Sequence, residues 1–101
     1  MSSRQIVILS PEESSSGGLP PIGSRREIVD SLAGYNTSPE RDGDSILWGP
    51  GFRIEMPEDD PVTQMLLTVT EDEIWFDPVV RIARAMKWKL YNPTTGQELV
   101  L

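Results

Sequence analysis

The 101-residue sequence contains no histidine and no cysteine. Histidine is the usual side chain for proton transfer near neutral pH, and the two residue types together are the usual ligands of zinc. Without cysteine the chain also lacks a thiol nucleophile. The remaining polar side chains are those of Ser, Thr, Tyr, Lys, Arg and many carboxylates, and no known catalytic spacing organises them. We therefore expect a protein that is not an enzyme and that uses no cofactor and no metal.

Basic residues are few: nine Lys and Arg stand against sixteen Asp and Glu, which gives a net charge of -7. Contacts to phosphates of nucleic acids or anionic lipids need Lys and Arg, so neither nucleic acid nor membrane is an expected partner. The acidic balance is better explained by solubility or by a basic surface on a protein partner.

Long hydrophobic runs are also absent. No run approaches the roughly 18–20 apolar residues that a membrane span requires. The run at residues 6–9 is too short for the hydrophobic region of a signal peptide, so we expect a cytoplasmic protein of bacterial type. A hydrophobic content of 38% is enough for one core. We predict a single domain over residues 1–101, with a flexible Ser-, Gly- and Pro-rich loop at 11–23.

Three segments have the composition of β-strands. Residues 5–9 are apolar at four consecutive positions, which predicts a central strand covered on both faces. Residues 45–56 form a strand pattern broken by Gly49, Pro50 and Gly51, after which Phe52, Ile54 and Met56 alternate with charged residues. Residues 65–69 return after a short acidic turn, so we expect them to pair antiparallel with the preceding strand.

Two segments show helical periodicity. Ser24 and Glu27 form a capping box ahead of an apolar face, and Gly34 is placed to end that helix in a left-handed conformation. Residues 70–73 form a second capping box, followed by an apolar stripe consisting of Trp75, Val79, Ile82, Ala83 and Met86. In a helix that starts near Glu71, Pro78 would lie beyond the first turn, where a proline disrupts the helix. Either the helix kinks there, or Asp77 caps a second segment with Pro78 at its first position.

The C-terminal part predicts a hairpin: a strand at residues 88–91, a turn at 92–96 in which Gly96 is available for positive φ, and a last strand at 98–101. The element order is β-α-β-β-α-β with an extra C-terminal strand. The fold class is therefore α+β. The order is that of the ferredoxin-like split β-α-β unit, with two helices on one face of a mainly antiparallel sheet.

Four residues are candidates for binding a partner. Trp48 and Phe52 lie beside the glycines at 49 and 51. Either the two rings form an exposed aromatic ledge that binds a ligand or partner, or the strand bends there and both rings are in the core. The usual burial of aromatic residues favours the core. Arg81 and Arg84, together with Lys87 and Lys89, form either a basic strip that grips an anion or an ordinary polar helix face, and the helix dipole favours the second.

The C-terminal run Trp88-Lys89-Leu90-Tyr91-Asn92-Pro93-Thr94-Thr95-Gly96, with Gly49-Pro50-Gly51 and Val62-Thr63-Gln64-Met65 before it, resembles small uncharacterised bacterial α+β proteins. The resemblance covers about the last half of the chain. It implies no activity and no site.

These features agree best with a non-catalytic binding or regulatory module. Such a module acts through protein–protein contacts, either with a protein partner or with a second copy of the chain. One specific form is an acidic inhibitor or immunity-type protein that captures a basic enzyme. The alternative class is a small-ligand-sensing ferredoxin-like module, which predicts a pocket near a helix N-terminus. Apolar or aromatic residues on the sheet face opposite the helices favour the first class.

Overall fold

The computed structural model describes residues 4–11, 20–41 and 43–99. Within them the chain forms seven strands and two helices. The strands are β1 (Gln5–Leu9), β2 (Ser38–Pro39), β3 (Ile46–Gly49), β4 (Phe52–Glu55), β5 (Gln64–Val69), β6 (Lys89–Tyr91) and β7 (Glu98–Leu99), and the helices are α1 (Arg25–Ala33) and α2 (Phe76–Met86). Neither helix is long and apolar enough to cross a membrane.

All seven strands belong to one sheet, in the order β2-β3-β4-β5-β1-β6-β7. Every neighbouring pair is antiparallel. The antiparallel pairing of β4 with β5 confirms the hairpin expected from the short connection between them. The coarse class is therefore α+β, as the sequence predicts.

The buried residues form a single hydrophobic cluster between the helices and one face of the sheet. The strand pattern explains this, because alternate residues point to the same face. The predicted alternations at 52, 54 and 56 and at 65, 67 and 69 are confirmed, since all six side chains are buried. Each helix adds one apolar stripe to the same cluster, with Ile28 and Leu32 from α1 and Val79, Ile82 and Ala83 from α2.

Strand β1 lies inside the sheet, between β5 and β6. Its Ile6 and Ile8 are fully buried under the helices, whereas Val7 and Leu9 on the opposite face are only partly buried. The prediction of an inner strand is confirmed, but the expected cover on both faces is wrong. An apolar run indicates that a strand lies inside a sheet, but it does not show that helices cover both faces of that sheet.

Helix α1 begins at the predicted capping box. The Ser24 side chain accepts a hydrogen bond from the Glu27 backbone N–H (3.1 Å), and the Glu27 carboxylate accepts one from the Ser24 backbone N–H (3.1 Å). The second of these bonds is the main reason that the pKa of Glu27 is lowered, and the Ser24 hydroxyl adds to it. The resulting stabilisation is present above the ordinary pKa of a glutamate, and it is lost as the pH falls through the lowered value.

Replacing the capping residue tests this helix start. We expect Ser24→Ala to lower the free energy of unfolding by about 1 kcal/mol, because an N–H group of the first turn loses its acceptor. Ser31→Ala is the matched control, since Ser31 is exposed inside the same helix and alanine is the better helix former there. Urea denaturation of the two variants measures both effects. Equal loss in the two variants would contradict the capping role.

The predicted left-handed end of α1 at Gly34 is wrong. Gly34 is right-handed (φ -68°), and the left-handed residue is Asn36 (φ 59°). The Tyr35 N–H donates to the Leu32 carbonyl and the Asn36 N–H to the Ala33 carbonyl, so the coil runs two residues further before it reverses. Asn tolerates this conformation better than most residues, which allows the reversal to occur there.

The start of α2 differs from both predicted alternatives. The second capping box is not formed: α2 begins at Phe76, and its N-cap Trp75 makes no side-chain capping bond. Pro78 falls in the first turn of this single helix, so the helix neither kinks nor restarts there. The first four N–H groups of a helix have no partner within it, so a proline at the third position forfeits no hydrogen bond.

The sheet has more strands than the sequence predicts. The segment at 45–56 is a hairpin of β3 and β4 with the two-residue turn Pro50-Gly51, and the polar connection after α1 contributes β2. The turn at Asn92–Gly96 is confirmed, with Gly96 at φ 73°. Most of the predicted flexible loop (residues 12–19) and the end of the last strand (100–101) lie outside the described residues.

Candidate functional site

The sheet face opposite the helices is the first candidate. Among the described residues its side chains, apart from that of Thr68, are all at least partly exposed, and we call it the uncovered face. Its side chains follow from the strand registers and form two long rows, besides a short row of Gln64, Leu9 and Lys89. One row runs across five strands through Ser38, Trp48, Arg53, Thr68 and Gln5. The next runs across six strands through Ile46, Glu55, Leu66, Val7, Tyr91 and Glu98.

The first row combines an exposed aromatic ring with a cation. Trp48 is 41% exposed, and the Arg53 guanidinium carbon lies 6.0 Å from the centroid of its ring. The Arg53 Nε is 3.8 Å from the Glu55 carboxylate, which is an ion pair but too long for a hydrogen bond. Beside it Thr68 is only 3% exposed. The Arg53 Nε and the Thr68 hydroxyl are buried and have no hydrogen-bond partner among the described residues.

The second row is mainly apolar. Ile46, Leu66, Val7 and Tyr91 are all partly buried, and Glu55 stands between the first two. The Tyr91 hydroxyl donates to the Glu98 carboxylate (3.2 Å) at the far end of the row. The central part of this face is thus an apolar surface bordered by charged side chains.

A groove beside α2 is the second candidate. It has a volume of about 380 Å³ and lies on the helix side of the sheet, between α2, β1 and the β6–β7 edge. We call it the α2 groove. Its apolar lining includes Trp75, Phe76, Val79, Val80 and Leu99. Trp75 and Phe76, at the start of α2, form part of this lining.

The structure separates the two predicted aromatic candidates. Phe52 is fully buried in the core, whereas Trp48 is exposed on the uncovered face. The hairpin register explains this, because Phe52 stands opposite Gly49 and Trp48 stands opposite Arg53. Neither predicted arrangement is complete: the two rings form no shared ledge, and only one of them is in the core.

Arg81 and Arg84 are exposed on α2, away from the apolar stripe, as the helical period predicts. Arg81 borders a shallow depression that it shares with Asp77, Tyr35 and Pro50. Lys89 lies on β6 opposite Leu9, and thus on the uncovered face. The four basic residues of this segment therefore do not form one strip: both arginines belong to α2, on the helix side of the sheet, whereas Lys89 and Trp48 lie on the uncovered face.

Sequence reasoning missed the pairing of Arg53 with Thr68 and the groove next to Arg4. Alternation with Phe52 and Ile54 places Arg53 on the face opposite the core, which was a usable signal. Its neighbours Trp48 and Thr68 belong to the adjacent strands, and the register of those strands relative to β4 cannot be predicted from a local sequence pattern. Within the part of the chain that the structure describes, no group of three or more Asp, Glu, His or Cys side chains is arranged to hold a metal ion.

Comparison with family models, curated proteins and solved structures finds no match to this chain.

Proposed function

We propose that this protein is a non-catalytic binding module that docks a protein partner on its uncovered face. One observation carries the proposal: the face presents Trp48, which is exposed, and a row of apolar side chains that remain partly exposed. Contiguous apolar surface rimmed by polar residues is typical of protein interaction sites. Trp48 lies beside the apolar row, on the second strand from one edge of the sheet, and exposed tryptophans are enriched among binding hot spots.

The polar atoms on this face support the same proposal. Leaving the buried Arg53 Nε and Thr68 hydroxyl without acceptors is unfavourable, by about 1–3 kcal/mol for a group of this kind. The Arg53 side chain as a whole is 35% exposed, so a partner carboxylate can bind the solvent-facing part of its guanidinium beside Trp48. Such a bond adds specificity to a contact whose affinity comes from apolar burial.

The charge distribution favours a partner with a basic rim. The β4–β5 connection carries Glu58, Asp59 and Asp60 at one end of the sheet, where the Asp60 carboxylate accepts a hydrogen bond from the Arg25 N–H of α1 (3.2 Å), and Glu71, Asp72 and Glu73 follow β5 at the other end. Lys and Arg around an apolar patch on the partner would be complementary to both ends. A second copy of this chain would instead bring its own acidic ends and a further net charge of -7. An acidic inhibitor of a basic enzyme is the most specific form of this proposal.

We also propose that the fold is a ferredoxin-like split β-α-β unit with added strands. The order β4-β5-β1-β6 supports this, because the first strand lies between the third and fourth main strands and a helix follows β1 and β5. Strands β2 and β3 extend one edge and β7 the other. The fold by itself implies no function, so the binding proposal depends on the surface alone.

Two alanine variants test the proposal. Trp48→Ala removes the exposed ring of the uncovered face (41%), and Phe76→Ala removes an even more exposed ring (52%) beside the α2 groove. Both variants and the wild-type chain are immobilised, and basic proteins are captured from an extract of the native host at low salt. We expect a partner that the wild type and Phe76→Ala retain and that Trp48→Ala loses. With the purified partner, titration should show binding at least about tenfold weaker for Trp48→Ala only.

Equal retention by all three proteins, or no retention by any, would contradict docking on this face. Analytical ultracentrifugation of the free protein tests whether a second copy of the chain binds to the uncovered face instead. A dimer that Trp48→Ala dissociates would replace the basic partner with a second copy of the chain. Circular dichroism of both variants establishes that they are folded.

A further inference from the structure

The α2 groove is apolar along most of its length but has one cation at its end. Phe76, Val80 and Leu99 are partly or fully exposed apolar side chains in its lining. Arg4 is the one charged residue among the described residues that line it. The groove volume of about 380 Å³ lies within the range of small-molecule sites, roughly 300–1,000 Å³.

Arg4 is held in place by its aromatic neighbour. Its guanidinium carbon lies 5.7 Å from the centroid of the Trp75 ring, and Trp75 itself is almost fully buried. Within the described part of the chain, the Arg4 guanidinium forms no ion pair. An exposed guanidinium ordered on an aromatic face offers a planar set of donors that matches a carboxylate.

Asn92 lies at the same end of the groove, because β6 runs antiparallel to β1 and ends beside the start of β1. Its side-chain oxygen accepts a hydrogen bond from the Thr94 N–H (2.9 Å), so its amide nitrogen remains as a donor. The acidic residues before α2, at positions 71–73, do not line the groove. The polar end of the groove therefore favours an anion, even though the whole chain is acidic.

We propose that the α2 groove binds a small monocarboxylate with an apolar body, such as a medium-chain or arylalkyl carboxylic acid. The carboxylate pairs with Arg4 at the polar end, and the apolar body lies against Phe76, Val80 and Leu99. A single guanidinium matches one carboxylate and leaves no second cation for a phosphate dianion. This site is separate from the uncovered face and does not depend on the docking of a protein partner.

Sodium octanoate, used below its micellar concentration, is the first probe. Titration followed by chemical shifts of the isotope-labelled protein should be saturable, and the shifts should concentrate at residues of the groove. Octanamide has the same apolar body and no charge. We expect it to bind at least about tenfold more weakly, since a charge-assisted bond is replaced by a neutral one.

Variants separate the charge from the apolar wall. Arg4→Gln should weaken octanoate binding at least about tenfold, whereas Arg4→Lys, which retains the cation but loses the planar pair of donors, should recover only part of the affinity. Phe76→Ala should weaken octanoate and octanamide to a similar extent, because it removes only apolar contact. Trp48→Ala, on the other side of the sheet, should leave both affinities unchanged.

Three results would overturn the proposal: no saturable octanoate binding, equal affinity for octanoate and octanamide, or wild-type affinity in Arg4→Gln. The Trp48→Ala variant makes this test distinct from that of the partner surface. Loss of partner binding with intact octanoate binding would leave the groove assignment standing, and the reverse result would leave the docking surface standing.

Discussion

Replacing Leu67 by alanine is expected to lower the free energy of unfolding by about 2–5 kcal/mol, whereas the same change at Leu66 should cost about 1 kcal/mol or less. Leu67 is fully buried at the centre of the sheet, between Ile6 of β1 and Ile54 of β4. Its truncation leaves a cavity that close-packed neighbours fill only in part. Leu66 is one residue away but lies partly exposed on the uncovered face.

Urea denaturation of the two variants measures this difference, with the slope of the transition checked to be unchanged so that the midpoints report stability. A loss of even 2 kcal/mol is a large part of the total stability of a small domain, roughly 5–15 kcal/mol. Similar losses for Leu66→Ala and Leu67→Ala would mean that both faces of β5 are covered. That result would also remove the basis for partner docking on the uncovered face.

Gly51→Ala is the second variant with a large expected effect, about 3 kcal/mol or more of destabilisation. Gly51 has φ of +84°, and a Cβ built there would lie 2.8 Å from the Trp75 backbone nitrogen and 2.9 Å from its Cα. The Gly51 carbonyl also accepts hydrogen bonds from the N–H groups of Thr70 (2.9 Å) and Glu71 (3.0 Å). These bonds hold the β3–β4 turn against the segment that connects β5 to α2, so the backbone has little room to move.

Gly96→Ala is the matched control for Gly51→Ala. Gly96 also has a positive φ, +73°, but no heavy atom lies within 4 Å of its added Cβ. Only the conformational strain remains, and it costs roughly 1–2 kcal/mol. The difference between the two variants in thermal or urea denaturation therefore isolates the close packing at Gly51. Losses of the same size would show that the turn moves freely away from α2.

The local parts of the fold could be predicted from the sequence. The capping box at Ser24 and the alternation of Phe52, Ile54 and Met56 were predicted correctly, because each depends on residues within a few positions of one another. The start of α2 was not predicted. A capping motif at residues 70–73 and Pro78 favour different starting points, and the helix begins at Phe76, where Pro78 falls in its first turn.

The candidate sites could be predicted only in part, and the reason is the register of the strands. Trp48 was identified as a candidate from its residue type, but its separation from Phe52 depends on a two-residue turn between β3 and β4. The contact between Arg53 and Thr68 depends on the pairing of β4 with β5. The groove beside Arg4 requires β1, α2 and the β6–β7 edge to meet, and these elements are far apart in the chain.

The sequence by itself determined the residue chemistry and the periodicities. The chain has no histidine or cysteine, it is acidic, and its alternating and helical patterns determine which side chains enter the core. Only the tertiary structure decided the order of seven strands, the face left without helices, and the side chains that meet on it. A periodicity depends on neighbours along the chain, whereas a binding surface depends on pairings between distant segments, which a local pattern does not encode.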